Sequence, residues 1–450
     1  MTVNAVLHYQ WKVIYYENDE IGEVDWIDAM VMNTYVCSRC GKTYASGDTM
    51  YLCPADDGVL DIELDYLGII RNGWQPRKMG PGDMSMWRYS ALLPVSDQME
   101  GQGILSAVGG TPLVYVSQLN SEVGERVWIK NDSLLPTGSL KDRASAVVVT
   151  DAMERDVDVI MTASTGNAGV ALAGMAAAGG LSAVVLAPAS APVGKIAQIV
   201  AYGAKLVLVD GSYSDAYDVA VQASHELGIY CRNTGFNPFT IEGKKTVSYE
   251  ICEQLSSMLG DGNDGAYWKV PDVVIVPVGD GNMIAGVYKG FADLIAIGVV
   301  SRMPKIVGVQ ADGSAAIASA YNNGDDVIAE VESNTIADSI SADRPADGYR
   351  AINAVKKSGG QYLTVSDSAI EIAVRELSSM TGVFAEASAA VAFAGLRMMQ
   401  RSRWINSDDN VVMLITGHGL KTVSESHLDI KQFSHIKPKL SELADLLKKI

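Results

Sequence analysis

The sequence Pro136-Thr137-Gly138-Ser139-Leu140-Lys141-Asp142-Arg143 places one lysine at the start of a predicted helix. A turn-forming Pro-Thr-Gly precedes the helix, and Ser139 is a residue type that caps helices. A lysine on a rigid element can react as a neutral amine when burial or neighbouring positive charge lowers its pKa. Taken alone, Lys-Asp-Arg is typical of a solvated helix face, so the interpretation depends on other parts of the chain.

Three further stretches follow apolar runs and carry glycines or hydroxyl groups. Residues 163–169 (Ala-Ser-Thr-Gly-Asn-Ala-Gly) and 276–286 (Val-Pro-Val-Gly-Asp-Gly-Asn-Met-Ile-Ala-Gly) each join a predicted strand to a predicted helix. This geometry gathers backbone N–H groups around an anion, and glycines let the backbone approach a phosphate closely. Residues 413–421 end a third predicted strand with the hydroxyl of Thr416. The pattern favours a cleft that holds an anion near the lysine.

Together these stretches resemble the fold-type II pyridoxal-phosphate enzymes, and within them the threonine synthases. The resemblance runs from about Gly109 to Lys421. It also rests on Gly110-Thr111-Pro112-Leu113, Tyr202-Gly203-Ala204-Lys205, Asn237-Pro238, Glu242-Gly243-Lys244-Lys245-Thr246 and Val383-Phe384-Ala385-Glu386. It implies pyridoxal 5′-phosphate as cofactor, a small-molecule amino-acid substrate and a homodimer.

The fold class expected is α/β, with two parallel-sheet domains and a cleft between them. Short apolar runs alternate with helical spacers of 10–15 residues, a rhythm that predicts parallel strands joined by crossovers. Ligands then bind at the carboxyl ends of the strands. The predicted domains are an N-terminal extension at 1–85, a small mobile domain at 137–245, and a large cofactor-binding domain formed by 86–136 and 246–450.

Residue by residue, the resemblance implies that Lys141 forms a Schiff base with the cofactor and moves the proton during catalysis. Asn167 is implied to hydrogen-bond the cofactor's 3′-oxygen, and Thr416 to face its pyridine nitrogen. The 5′-phosphate is expected at the backbone N–H groups of Gly279, Asp280, Gly281, Asn282 and Met283. The substrate α-carboxylate is expected at Ser164, Thr165, Asn167 and Ala168. Asp280 is unexpected in this turn, because its carboxylate would repel a bound phosphate unless it points away or pairs with a cation.

A possible metal site precedes the catalytic part of the chain. Cys37, Cys40 and the later Cys53 resemble half of a zinc ribbon, such as many threonine synthases carry near their N-terminus. A structural zinc site has four ligands, and here Asp56 or Asp57 would have to supply an oxygen. The alternative is a ribbon that has lost its metal and is held by its strands. A redox role is less favoured, because the motif does not open a helix in a βαβ unit.

The implied reaction converts O-phosphohomoserine and water to threonine and phosphate. Thr240 stands where the family usually has an Arg that helps hold the substrate phosphate, and Lys244, where Gln is common, is a candidate to restore the charge. Leu140 stands where Phe is usual. A related lyase, of the threonine or serine ammonia-lyase type, is therefore a second hypothesis. A non-catalytic binding protein is a third, and it is disfavoured because it would not need the amine of Lys141.

Composition narrows the remaining possibilities. Thirty-five basic and 53 acidic residues give a net charge of −18, which argues against nucleic-acid and anionic-membrane partners. The uncharged stretch 168–191 is predicted to be a buried helix and strand because Gly179-Gly180 interrupts it. No signal peptide is expected, and five cysteines fit a cytoplasmic protein. Residues 19–28 are expected to form an acidic extension, and 440–447 an amphipathic helix.

Overall fold

A computed structural model describes residues 33–45, 51–76, 82–96, 103–121, 124–189, 193–260, 262, 266–325, 327–422, 437–438 and 440. The acidic segment at 19–28 lies outside the described residues, as does the predicted helix at 440–447 except for Leu440. Within the described part of the chain, no helix is long and apolar enough to cross a membrane.

Helices and strands alternate along most of the described chain. The strands are β1 Thr34–Cys37, β2 Thr43–Ala45, β3 Leu60–Glu63, β4 Leu113–Tyr115, β5 Arg126–Asn131, β6 Val159–Ala163, β7 Ser182–Pro188, β8 Lys205–Val209, β9 Tyr230–Cys231, β10 Val273–Pro277, β11 Lys305–Ala311, β12 Gln361–Val365 and β13 Asn410–Ile415. The helices are α1 Tyr66–Arg71, α2 Lys141–Glu154, α3 Asn167–Gly179, α4 Val193–Ala201, α5 Tyr213–Leu227, α6 Phe239–Leu259, α7 Asn282–Ala296, α8 Ala316–Asn323, α9 Gly348–Ser358, α10 Asp367–Thr381 and α11 Ala387–Ser402.

The larger sheet has six strands in the order β12-β11-β10-β13-β5-β4. Strands β5 and β10 to β13 are parallel, and the edge strand β4 is antiparallel to β5. Strand β10 is buried at every residue, as its run Val-Val-Ile-Val requires, because helices cover both faces of a parallel sheet.

The smaller sheet has four parallel strands in the order β8-β7-β6-β9. Strand β6 lies between β7 and β9, so the turn after β6 and the chain after β9 leave the sheet at the same edge. The uncharged stretch 168–191 falls into α3 and β7, which confirms that it is a helix and a strand of a globular fold.

Helix α6 packs on both α2 and α7 in the centre of the molecule. The helices approach closely, because a Cβ on Gly243 would lie 1.9 Å from the Arg143 carbonyl oxygen and one on Gly290 would lie 2.2 Å from that of Lys245. Glycine is therefore required at both crossings. The crossing at Gly243 brings the first turn of α2 beside the first turn of α6.

Strands β1 to β3 form a small antiparallel sheet in the order β2-β1-β3, which we call the ribbon. The ribbon packs on the body of the molecule. Between β2 and β3, the ring of Tyr51 stacks on Phe236 with centroids 4.3 Å apart, and its hydroxyl accepts a hydrogen bond from the Cys231 N–H at 2.9 Å. Tyr51 thus touches the segment that follows β9.

The predicted fold class is confirmed, since parallel-sheet α/β units make up the body of the chain. The one departure is the antiparallel edge strand β4. The domain boundaries at 85, 136 and 245 stay a prediction.

Candidate active site

Lys141 is the first residue of α2 and lies beside the end of β13. The Leu140 N–H donates to the Thr416 carbonyl oxygen at 2.9 Å, and Ser139 bridges Gly417. The Lys141 amine makes no hydrogen bond or ion pair with a described residue. Burial lowers its pKa below the ordinary value, and the negative charge of Asp280 offsets this only in part. The site therefore favours a neutral, unengaged amine.

The prediction that Ser139 caps α2 is wrong. Its hydroxyl is buried and makes no hydrogen bond with a described residue, because the backbone bridge to Gly417 fixes Ser139 in an extended pairing. Asp142 instead ties the turn to the helix, since its carboxylate accepts from the Thr137 N–H at 2.7 Å and from the Thr137 hydroxyl at 2.5 Å. Burial raises the pKa of Asp142 to about 6.

The turn 279–283 joins β10 to α7. Gly281 has φ of 93°, and a Cβ on it would lie 2.8 Å from the Ala351 Cβ and 2.8 Å from the Asp347 carbonyl oxygen. A Cβ on Gly279 would lie 2.8 Å from the Ile340 Cα. Both positions therefore require glycine, and the turn brings its backbone to the N-terminus of α7 without side chains in the way.

Asp280 lies in this turn and accepts a hydrogen bond from the Asn282 N–H at 3.1 Å. Burial raises its pKa, but the positive charges of Lys141 and Lys244 outweigh this and lower it overall. The carboxylate thus has the cations that its position requires. Met283, the next residue of α7 after Asn282, is buried.

Asn167 begins α3 and is almost fully buried. Its side-chain amide donates to Glu386 Oε1 at 2.8 Å and to the Ser339 hydroxyl at 3.1 Å. The other oxygen of Glu386 is buried without a hydrogen-bond partner among the described residues. Burial raises the pKa of Glu386, partly offset by the Asn167 hydrogen bond.

Glu386 is part of the sequence pattern that resembles the family, but the sequence assigned it no role in binding or catalysis. The available signal was an acidic residue directly before the predicted helix that became α11. What could not be read from the sequence was that this acid faces Asn167, 219 residues earlier in the chain.

A cavity of about 550 Å³ opens beside Asn167. Its lining includes Thr137, Thr165, Glu386 and Lys421. Ser164, Ala168, Lys141 and the turn 279–283 lie outside this lining, so the cavity is the outer part of the cleft. The Lys421 amine donates to the Thr137 carbonyl oxygen at 2.7 Å and to Gln198 Oε1 at 3.1 Å, both within this lining.

Thr416 follows the last residue of β13 and is 6% exposed. Its hydroxyl makes no hydrogen bond with a described residue. A buried hydroxyl without a partner in the protein is suited to a polar atom of a bound molecule.

Lys244 is fully buried on α6, and its amine donates to Asn282 Oδ1 in the turn 279–283. The sequence predicts that Lys244 serves the substrate phosphate, whereas the structure places it against the turn expected to hold the cofactor phosphate. Burial and then the positive charge of Lys141 hold the pKa of Lys244 well below its usual range. Thr240 is occupied, since its hydroxyl donates to the Asn237 carbonyl oxygen at 2.8 Å and accepts from Asn282 Nδ2 at 3.3 Å.

Sequence reasoning missed Arg232, which directly follows β9. It is fully buried, and its backbone N–H donates to the Met161 carbonyl oxygen of β6 at 2.7 Å. The only signal was a basic residue after a short apolar run, and β9 has just two residues, too few for a pattern.

The cysteines of the ribbon come together with one carboxylate. One ligand atom from each of Cys37, Cys40, Cys53 and Asp56 lies within 4.8 Å of the others. The sulfurs of Cys40 and Cys53 are 3.7 Å apart, and the Cys37 sulfur is 3.3 Å from Asp56 Oδ1. Of the two aspartates that the sequence offered, Asp56 is the one in the cluster. Three thiols and one carboxylate make a donor set that Zn²⁺ accepts.

Residues 104–417 match the family model described as pyridoxal-phosphate dependent enzyme. The threonine synthase of Methanocaldococcus jannaschii is 38% identical over 388 residues, which cover 86% of this chain and 92% of that protein. The threonine synthase of Methanosarcina acetivorans is 35% identical over 86% of this chain and 91% of its own length. The chain belongs to the threonine synthase family of pyridoxal-phosphate dependent enzymes.

Solved structures of related enzymes share the fold. A fungal L-serine ammonia-lyase from Rhizomucor miehei superposes with a TM-score of 0.60 at 21% identity and covers 72% of this chain and 98% of its own. The processed form of threonine deaminase isoform 2 from Solanum lycopersicum gives 0.59 at 20% identity, over 83% of this chain and 90% of its own. At these identities the likeness extends to the fold alone.

The residues of this threonine synthase family member fit the family's cofactor, pyridoxal phosphate. The turn 279–283 can form only with glycine at 279 and 281, and it leads into the N-terminus of α7, where backbone N–H groups suit a phosphate. The buried Lys244 amine lies beside this turn and makes no ion pair with a described residue. Lys141 offers an amine, and Thr416 a hydroxyl, that no described residue engages.

Proposed function

We propose that the chain converts O-phospho-L-homoserine and water to L-threonine and inorganic phosphate. The single observation that supports this best, beyond the family membership, is the Lys141 amine, which pairs with no described residue and interacts electrostatically with Asp280 of the glycine turn. The reaction breaks the bond from Cγ to the phosphate oxygen and forms a bond from Cβ to the oxygen of water. Protons leave Cα, Cβ and the attacking water, while one proton is added at Cγ, one is returned to Cα and one goes to the departing phosphate.

Lys141 is proposed to hold the cofactor and to move the protons. Burial lowers the pKa of its amine, which favours the neutral form, and neutral Nζ can accept a proton from Cα or Cβ and return protons at Cγ and Cα. When bound, pyridoxal phosphate supplies an electron sink for the charge that develops at carbon.

The other residues are proposed to bind and orient. The backbone N–H groups of 279–283 and the Lys244 amine would hold the cofactor phosphate, Asn167 its 3′-oxygen, and Thr416 its ring nitrogen. Ser164, Thr165 and Ala168 would hold the substrate carboxylate at the N-terminus of α3. Glu386 is proposed as a further positioning residue, because its hydrogen bond fixes the Asn167 amide.

The test is release of inorganic phosphate and threonine from O-phospho-L-homoserine by the cofactor-loaded protein, with threonine and serine deamination run alongside. We expect both products at roughly 1 to 1,000 per second, the usual range of enzymes. Deamination without phosphate release would establish the ammonia-lyase hypothesis instead, for which the buried and occupied Thr240 hydroxyl is the favouring observation.

We propose in addition that Cys37, Cys40, Cys53 and Asp56 hold a structural Zn²⁺ ion. Metal analysis of the purified protein is expected to give one zinc per chain, and Asp56→Ala is expected to lower this content and the thermal stability of the ribbon. Asp57→Ala is the matched control, because Asp57 is adjacent in sequence but outside the cluster. Full zinc content in Asp56→Ala would remove Asp56 from the ligand set.

The cellular setting is proposed from the same resemblance. A cytoplasmic homodimer without nucleic-acid or membrane partners is expected, and sedimentation of the purified protein tests the dimer. A monomeric, fully active protein would contradict it.

A further inference from the structure

Arg232 is a buried cation with an unused donor. Its Nη1 donates to the Thr234 hydroxyl at 2.6 Å and its Nε to the Ser145 hydroxyl at 3.3 Å. Its Nη2 is buried without a hydrogen-bond partner among the described residues. An arginine side chain is always positively charged, and burying a charge without a counter-charge costs folding free energy. A functional role for Arg232 would explain why the chain carries this cost.

Other buried basic residues of the described chain, unlike Arg232, form ion pairs with carboxylates. Each of the following lies within ion-pair distance of at least one carboxylate: Lys130 (Glu250), Arg143 (Asp132 and Glu250), Lys245 (Glu242 and Asp293) and Arg350 (Asp61 and Asp347). Arg232 and Lys244 are fully buried and have no ion pair with a described residue. Both interact electrostatically with Lys141 and Asp280 of the candidate active site, unlike the paired residues above.

Arg232 lies close to the residues of the candidate active site. It follows β9, next to the end of β6 where the turn with Ser164 and Thr165 begins. Ser145, which it contacts, lies one helical turn after Lys141 on α2 and therefore on the same face. Lys141 and Asp280 both interact electrostatically with the Arg232 guanidinium.

Asp280 interacts electrostatically with three basic groups of the inner cleft, Lys141, Lys244 and Arg232. Glu386 acts in addition on Lys141, and Asp347 on Lys244. Arg232 makes no ion pair with a described carboxylate, so its charge is left to pair with an anion that enters the cleft.

We propose that Arg232 binds a phosphate monoester in this cleft, through the guanidinium edge that carries Nη2. The inference rests on the proposed function, because both the cofactor and the proposed substrate are phosphate monoesters. It also explains how phosphate can be bound although Thr240 stands at the position of the family's usual arginine. The guanidinium group is then supplied by the residue after β9 instead of by a residue of α6. A planar guanidinium binds phosphate through two parallel hydrogen bonds, which a hydroxyl cannot do.

The experiment compares Arg232→Gln and Arg232→Lys with the unchanged holoenzyme. Gln keeps a polar group for Ser145 and Thr234 but removes the charge, whereas Lys keeps the charge without the planar fork. Arg302→Gln is the matched control, because Arg302 is partly exposed and pairs with Asp272 at the opposite end of β10. Inorganic phosphate is titrated into each cofactor-loaded protein by calorimetry, and the dissociation constant of pyridoxal phosphate is measured by absorbance.

Weaker binding of inorganic phosphate in Arg232→Gln, by roughly 10- to 100-fold, with unchanged cofactor affinity assigns Arg232 to the substrate phosphate. Weaker cofactor binding by a similar factor assigns it to the cofactor phosphate, and either result supports the proposal. Arg232→Lys is expected to lie between the two proteins. If the folded Arg232→Gln variant binds both probes within twofold of the unchanged protein, the proposal is wrong. Because neither probe needs turnover, this result is independent of whether O-phosphohomoserine is the substrate.

Discussion

Two groups of buried basic and acidic residues in this molecule use the same residue types and differ in how directly their charges are paired. In the first, which we call the paired cluster, Arg88, Lys130 and Arg143 face Asp132, Glu250 and Glu253 at ion-pair distances. Three positive charges meet three negative ones. In the second, which we call the cleft cluster, Lys141, Lys244 and Arg232 share Asp280.

The two clusters differ in direct pairing rather than in the effect of burial. In the paired cluster Glu250 accepts hydrogen bonds from Arg143 and Lys130, whose charges lower its pKa against the effect of burial. Burial still lowers the pKa of Lys130, as it lowers the pKa of Lys141 and Lys244 in the cleft cluster. Lys130, however, lies 2.6 Å from a carboxylate oxygen of Glu250, whereas the three basic groups of the cleft cluster make no ion pair with a described residue. We infer that the paired cluster maintains the fold and that the cleft cluster is suited to an anionic ligand.

The largest effect is expected for Lys141→Ala, which removes the central amine of the cleft cluster. Activity and the absorbance of the lysine-bound cofactor should both disappear, because no other amine occupies the start of α2. The free energy of unfolding should hardly change, since the Lys141 amine pairs with no described residue. An unchanged absorbance band in the variant would disprove the assignment of Lys141.

The next largest effect is expected for Glu250→Gln, which breaks the paired cluster. It leaves the cations of Arg143 and Lys130 without their shared partner, so the free energy of unfolding should fall by about 3–5 kcal/mol. Chemical denaturation measures the loss. Glu376→Gln is the control: its ion pair with Arg397 is long and half-exposed, and its loss should cost about 1 kcal/mol or less. Equal losses in both variants would remove the distinction between the two kinds of pair.

A smaller effect concerns pH and Asp142, which follows Lys141. Its pKa of about 6 in the folded protein lies above its ordinary value, so folding favours the protonated form. The stability from this group is complete below about pH 4 and is lost as the pH rises through 6. The loss amounts to about 2–3 kcal/mol at most. Unfolding of Asp142→Asn should lack this part of the pH dependence, and an identical pH profile in both proteins would show that Asp142 does not cause it.

The smallest effect is expected for Asp280→Asn, which removes one negative charge from the cleft cluster. Asp280 interacts with Lys141, Lys244 and Arg232, so its loss should strengthen binding of inorganic phosphate by roughly 3- to 10-fold, the scale of one screened charge. Calorimetry on the holoenzyme measures the change. Weaker binding would mean that Asp280 orients the cations rather than competing with the anion.

Local patterns predicted much of this architecture. The strand and helix rhythm gave the α/β class, and the glycine turn 279–283 falls between β10 and α7 as expected, because apolar runs and glycines act over a few residues. Ser139 failed as a cap because a strand end more than 270 residues later bridges its backbone. Sequence alone cannot supply such a distant partner.

The same limit explains the missed residues. Arg232 is informative only because no described carboxylate lies within ion-pair distance of it, and Glu386 only because Asn167 donates a hydrogen bond to it. The presence or absence of a partner is a property of the folded chain. Lys244 was singled out by its departure from the family pattern, but its contact with Asn282 depends on how α6 crosses α7.

The contact of Tyr51 with Phe236 and Cys231 links the ribbon to the segment that carries Arg232. Tyr51 lies two residues before Cys53, and Cys231 directly precedes Arg232. The ribbon therefore packs against and supports the loop that carries the Arg232 side chain. Removal of the ribbon would expose the Phe236 ring and take away the Tyr51 contact that holds this loop. If Arg232 binds phosphate as proposed, a chain without the ribbon should therefore bind phosphate more weakly.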